Sequence, residues 1–128
     1  MKAYDIYKRT CALMFEREGE DASFKKNFCS ILSALLAESL PYENSHRIAS
    51  GKEKLAFAPI VSEMEQDVDF CEEITAVALP YGVASYFSQD DGEGYNSQMY
   101  RERFINALCE AAKCNFTQIE DVYGGEEI

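Results

Sequence analysis

The stretch that decides the fold is VALPYGVASYFSQDD, residues 77–91. Its apolar residues recur at helical spacing, but Pro80 and Gly82 lie in the middle, where a helix tolerates neither well. From Leu79 onward, apolar side chains cover both sides of this helix, and a helix that is apolar all round is a buried one. The segment near 69–89 is therefore predicted to be the central helix, with a kink or a broken turn at Pro80. Gly82 is expected to let a neighbouring helix approach closely.

Three further helical patterns surround this segment. Apolar residues at helical spacing predict helices near 2–17, 23–39 and 95–114. Pro41 is expected to end the second of them. The pattern as a whole predicts an all-α fold, a bundle of about four helices in a single domain over residues 1–128.

Two segments do not follow a helical pattern. Residues 41–68 are polar and turn-rich and carry apolar residues without a convincing period: Leu55, Phe57, Ile60, Val61 and Met64. A connection of this length is uncommon in a small helical domain unless it is functional. Two interpretations stay open, a loop folded back over the core and an arm that docks these five residues on a partner subunit. The C-terminal residues 115–128 show short alternation and two glycines, which favour an extended tail.

Composition narrows the class of protein. A hydrophobic content of 47% over 128 residues favours a folded domain, and the net charge of −11 disfavours binding to nucleic acids or anionic membranes. The chain opens on a charged, amphipathic stretch rather than a secretory signal. Its longest uncharged apolar run has 14 residues, too few to cross a bilayer. We therefore expect a soluble, intracellular protein.

No motif indicates catalysis, a cofactor or a metal. The five cysteines include no Cys-x-x-Cys pair and are expected to be structural thiols in a reducing compartment. The single histidine, His46, is expected in a polar loop without a nearby cysteine partner, which argues against a zinc site and against a Cys-His nucleophile pair. Phosphate-loop, serine-hydrolase and metalloprotease motifs are absent from the sequence, and the spacing of the acids after residue 89 does not fit a calcium loop. The chain is predicted not to be an enzyme, with no catalytic, cofactor-binding or metal-binding residues.

One part of the chain resembles a known family. The stretches ITAVALPYGVASYFSQDDGEGYNSQMYRERFINAL (74–108) and IEDVYGG (119–125) resemble small proteins of tailed bacteriophages and Gram-positive prophages. These proteins are similar to head-to-tail connectors, also called head-completion or adaptor proteins. The similarity also covers the order of elements, from the first helix through the apolar run in 55–69 to the acidic turn Asp90-Asp91. Its signature residues are Leu79, Pro80, Tyr81, Gly82, Ala84, Tyr100 and Phe104.

The resemblance implies a virion structural protein that works without cofactors. Connectors assemble as a ring beneath the portal, around the channel through which phage DNA passes, and their irregular arms contact neighbouring subunits and the portal. By this resemblance, residues 41–68 would be the arm. The protein would be found in the cytoplasm of the bacterial host during assembly and in the virion afterwards. Two alternatives stay open from the residues alone: a small acidic helical oligomer acting as an adaptor or regulatory interaction protein, and a small-ligand binder or enzyme with an interior pocket.

Overall fold

A computed structural model describes residues 1–14, 22–90 and 92–127 of the chain. Its elements are, in order, α1 (Ala3–Leu13), α2 (Ala22–Ala49), a π-helical segment (Glu73–Ala78), α3 (Leu79–Asp90) and α4 (Gly94–Glu127). Within the described residues extended pairing is limited to one isolated antiparallel bridge, between Lys2 and Asp67. The all-α bundle predicted from the sequence is confirmed.

Helix α3 lies at the centre of the bundle, as its apolar surface predicts. It packs against α1, α2, α4 and the π-helical segment, and Val83 on this helix is fully buried. Gly82 lies between two neighbouring helices: a Cβ at this position would be 3.0 Å from Leu35 Cδ2 on α2 and 3.0 Å from Phe104 Cδ1 on α4. The close approach expected at Gly82 is confirmed, and it involves two helices at once.

The interruption expected at Pro80 takes the form of a π-helical segment. The Leu79 N–H donates to the carbonyl of Ile74, five residues earlier instead of four. Pro80 follows directly, and a proline ring in a regular α-helix would collide with the carbonyl four residues before it, that of Ala76. The wider turn before Pro80 therefore lets the chain stay helical on both sides of a residue that would otherwise break it.

Helix α2 is longer than the sequence predicts. It continues through Pro41 to Ala49, so the stop expected at Pro41 is wrong. Pro41 is exposed, and the carbonyl that it leaves without a helical partner can be hydrated. The helix ends instead at Ala49, two residues before Gly51, which has a φ of 78°. A hydrogen bond from the Lys52 N–H to the Arg47 carbonyl closes this turn. A glycine with positive φ at this position is a common way to end a helix, because it has no Cβ to clash.

The C-terminal segment is also helical rather than extended. Helix α4 runs to Glu127, so the extended tail predicted for 115–128 is wrong over 115–127, and residue 128 lies outside the described part of the chain. Extending a formed helix fixes one residue for each hydrogen bond gained, whereas a new element must be nucleated. The short alternation of apolar and polar residues in this segment does not outweigh the lower cost of extending α4.

Candidate functional site: a loop tip and an apolar groove

The irregular loop between α2 and the π-helical segment folds back over the bundle and meets the start of α1. In the described part of the chain, no side chain caps the N-terminus of α1. The loop supplies two backbone acceptors in its place: the carbonyl of Gln66 accepts from the Ala3 N–H at 2.9 Å, and that of Met64 accepts from the Tyr4 N–H at 2.8 Å. The N–H groups in the first turn of a helix have no partner within the helix. These two bonds therefore satisfy N–H groups at the start of α1 and fix the position of the loop at the same time.

Two side chains on α2 anchor the loop at Leu55 and Val61. Asn44 donates to the Leu55 carbonyl at 3.1 Å and accepts from its N–H at 2.8 Å. The Ser33 hydroxyl accepts from the Val61 N–H at 2.8 Å. Its one proton has two acceptors within reach, the Cys29 carbonyl at 2.8 Å and the Val61 carbonyl at 3.2 Å. Val61 is buried, and both Leu55 and Met64 are partly buried against the core. For these three residues the structure matches the interpretation of a loop packed on the core.

The other two apolar residues of the loop face outward. Phe57 is 85% exposed and Ile60 is 80% exposed. They lie between the two anchors, and the Ile60 carbonyl accepts from the Gln66 amide at 2.8 Å. Single exposed apolar residues are common, but two large ones held on an anchored segment form a defined apolar projection. We call Phe57 and Ile60 the loop tip.

An apolar groove lies on a different part of the surface, where the π-helical segment meets α3. It has a volume of about 410 Å³ and is lined by Arg9, Ala12, Leu13, Ala76, Val77, Pro80 and Tyr81. Val77 in this groove is 49% exposed although it lies on the most hydrophobic stretch of the chain. The Tyr81 ring stacks on Tyr100 with centroids 6.4 Å apart. None of the lining residues belongs to the loop tip, so the projection and the groove are separate surfaces of one chain.

The signature residues named from the sequence divide between this groove and the core. Pro80 and Tyr81 line the groove, and Tyr100 supports it through the stacked rings. The remaining four are buried: Leu79, Gly82, Ala84 and Phe104.

Glu43 and Arg47 on α2 hold the end of the loop against this helix, and we call these two residues the polar clasp. Glu43 is buried, and its carboxylate accepts from Arg47 Nε at 2.6 Å and from the Cys71 N–H at 2.7 Å. Arg47 also donates to the carbonyl of Asp69 at 2.7 Å. Buried charges are stable only when paired and hydrogen-bonded, and here both charges of the clasp are. The backbone around Cys71 is therefore fixed in position.

His46 lies beside this clasp, which corrects the expectation drawn from the sequence. It is on α2 rather than in a loop, and its nearest ligand atom, the Cys71 sulfur and a Glu73 carboxylate oxygen all lie within 4.8 Å of one another. The sequence did not reveal this cluster because His46 and Cys71 are far apart along the chain. Burial raises the pKa of the Cys71 thiol to about 12. This shift disfavours the thiolate that a Cys-His nucleophile pair requires near neutral pH.

No family model, curated protein or solved structure matches this chain. Among the described residues, none of the helices combines the length and apolarity needed to cross a bilayer.

Proposed function

We propose that this chain is a non-catalytic assembly protein of a tailed bacteriophage or prophage, of the head-to-tail connector type, whose copies associate head to tail. The observation that carries the proposal is the loop tip, two large apolar side chains projecting from a loop that is anchored on both sides. An anchored projection loses little conformational entropy when it binds, so its apolar area contributes more fully to affinity.

The occupant that best fits the apolar groove is the loop tip of a second copy. At about 410 Å³ the groove is well above the roughly 150 Å³ of a cavity that binds a benzene ring, so it can accept the ring of Phe57. Charge is complementary as well, because Arg9 is one of the residues that line the groove and the exposed Glu63 follows the tip. A contact between two different surfaces of identical chains is heterologous, and repeated heterologous contacts close into rings or continue as filaments.

The net charge of −11 suits a protein that surrounds passing DNA without retaining it. The same charge makes identical copies repel one another at low ionic strength. At 0.1 M salt this repulsion is screened over a distance of about 10 Å. Salt also screens the attraction between Arg9 and Glu63, but this is one pair against a net charge of −11 on each chain. Self-association through apolar surfaces should therefore become stronger, not weaker, as salt is added.

Sedimentation velocity over a range of protein and salt concentrations tests this proposal. The wild-type chain should form species larger than a dimer, increasingly so at higher salt. Replacing the tip with serine (Phe57→Ser with Ile60→Ser) should leave a folded monomer, because both side chains are exposed in the single chain. The matched control is Tyr95→Ser, which removes an equally exposed aromatic side chain (84%) outside the tip and should associate as the wild type does.

A mixing experiment distinguishes a head-to-tail contact from a symmetric one. The tip variant keeps an intact groove, and Val77→Asp keeps an intact tip while placing a charge in the groove. Mixed together, the two variants should form a dimer and nothing larger. A wild-type chain that stays monomeric at every concentration would refute the assembly proposal. A closed symmetric dimer that persists in both variants would favour the adaptor or regulatory alternative.

The connector assignment has its own test. We expect the DNA flanking the gene to encode portal, capsid and tail proteins in order, and the purified portal protein to bind the wild-type chain. A metabolic or regulatory neighbourhood would refute the connector assignment even if the chain associates head to tail.

A further inference from the structure

We propose that His46, Cys71 and Glu73 form a binding site for a divalent transition-metal ion of the zinc class. The site joins the last turns of α2 to the start of the π-helical segment. One nitrogen, one sulfur and one oxygen ligand converge there, with all three atoms within 4.8 Å of one another. A mixed set of imidazole, thiolate and carboxylate ligands suits zinc, whereas magnesium and calcium take oxygen ligands.

The distances are close to those of a bound ion. His46 Nε2 lies 3.7 Å from Glu73 Oε2. Bonds of about 2.0–2.3 Å to a tetrahedral zinc ion place ligand atoms roughly 3.3–3.8 Å apart. The cluster therefore has to contract by about 1.5 Å at most. Glu73 can supply part of this movement, because its side chain is 54% exposed and can change rotamer without disturbing the core.

The backbone that carries the thiol is already fixed. The Cys71 N–H donates to Glu43, and its carbonyl accepts from the N–H groups of Ile74 and Thr75 at 3.0 Å each. Preformed ligand positions lower the entropy lost when an ion binds, in the way that outer hydrogen bonds orient metal ligands in known sites. Arg47 follows His46 on α2 and is paired with Glu43 and Asp69, so its positive charge does not take the place of a metal ion among the three ligands.

The charges of the cluster also favour a divalent cation. A thiolate, a carboxylate and a neutral imidazole carry two negative charges, which one divalent ion neutralises. The half-buried Cys71 thiol gives up its proton when a metal ion binds it, and the acid beside it favours the cation that takes the place of the proton. Three protein ligands leave a fourth position for water.

Titration of the full-length, reduced protein with Co²⁺ tests the site directly. Wild type should bind one ion per chain with the near-ultraviolet sulfur-to-cobalt charge-transfer absorption of a thiolate ligand, and Zn²⁺ should abolish this signal by competition. Cys71→Ser should lose the absorption. Cys109→Ser, which removes an exposed cysteine outside the cluster, should keep it. His46→Gln and Glu73→Gln should each weaken cobalt binding by about 10-fold or more, since even outer-shell changes cost 10–100-fold.

The exposed ligand keeps the test informative if Cys71→Ser does not fold. Glu73→Gln changes a side chain outside the core, so its far-ultraviolet circular dichroism should match the wild type while Zn²⁺ raises its melting temperature less. The proposal is overturned if wild type shows no thiolate absorption with excess Co²⁺. It is equally overturned if Cys71→Ser keeps that absorption, or if Glu73→Gln and His46→Gln both bind as tightly as wild type.

Discussion

Replacing Gly82 with alanine should destabilise this protein, although alanine is the better helix former. The new Cβ would lie 3.0 Å from Leu35 Cδ2, 3.1 Å from Leu35 Cδ1 and 3.0 Å from Phe104 Cδ1. Leu35 and Phe104 are fully buried, so neither side chain can move aside freely. Overpacking of this kind costs about 1–3 kcal/mol, and the gain in helix propensity offsets about 0.5–1 kcal/mol. The expected net loss in the free energy of unfolding is about 1 kcal/mol.

Urea denaturation followed by circular dichroism measures this effect. Gly94→Ala is the matched control, because Gly94 begins α4 and a Cβ there meets no atom within 4 Å. That control should be neutral or slightly stabilising. Shortening the neighbour, with Leu35→Ala added to Gly82→Ala, should cost less than the sum of the two single changes. The packing argument fails if Gly82→Ala raises stability as much as Gly94→Ala does.

Three further predictions concern other parts of the bundle. Ser33→Ala should lower the free energy of unfolding by about 1–3 kcal/mol, because the N–H of the buried Val61 loses its acceptor. Ser30→Ala, at an exposed position of the same helix, should not lower it. Equal urea midpoints for the two variants would contradict the role of Ser33 in anchoring the loop. Ser88→Ala should leave the free energy of unfolding unchanged or raise it, because the Ser88 hydroxyl is buried without a hydrogen-bond partner among the described residues. If urea denaturation shows a loss above about 1 kcal/mol, the hydroxyl is hydrogen-bonded after all. Burial raises the pKa of Cys71 from an ordinary 9.0 to about 12. The folded state thus binds this proton more tightly than the unfolded state, so the stabilisation is present below pH 9 and is lost as pH rises toward 12. Thermal melts should show a smaller alkaline loss in Cys71→Ala than in wild type, and identical pH profiles would exclude the effect.

Parts of the candidate site could be predicted from the sequence, and parts could not. The apolar residues at 55–64 stood out because they interrupt a polar segment without helical spacing. Their division into core contacts and loop tip depends on two side chains of α2, Asn44 and Ser33, and no local pattern indicates that these reach the loop. The sequence does mark the end of α2: Gly51 adopts the positive φ of a helix C-terminus, and the Lys52 N–H bonds back to the Arg47 carbonyl. This glycine, and not Pro41, indicates where the helix ends.

The sequence by itself determined the fold class and the central helix. Apolar spacing is a property of the chain alone, and a segment that is apolar on all sides and too short to cross a bilayer is most stable inside a bundle. The tertiary structure alone decided which distant residues meet. His46 and Cys71 come together because the loop returns along α2, and a side chain at position 82 is unfavourable only because Leu35 and Phe104 converge on Gly82. Such contacts depend on the path of the backbone through space, whereas local patterns extend over a few turns of one helix.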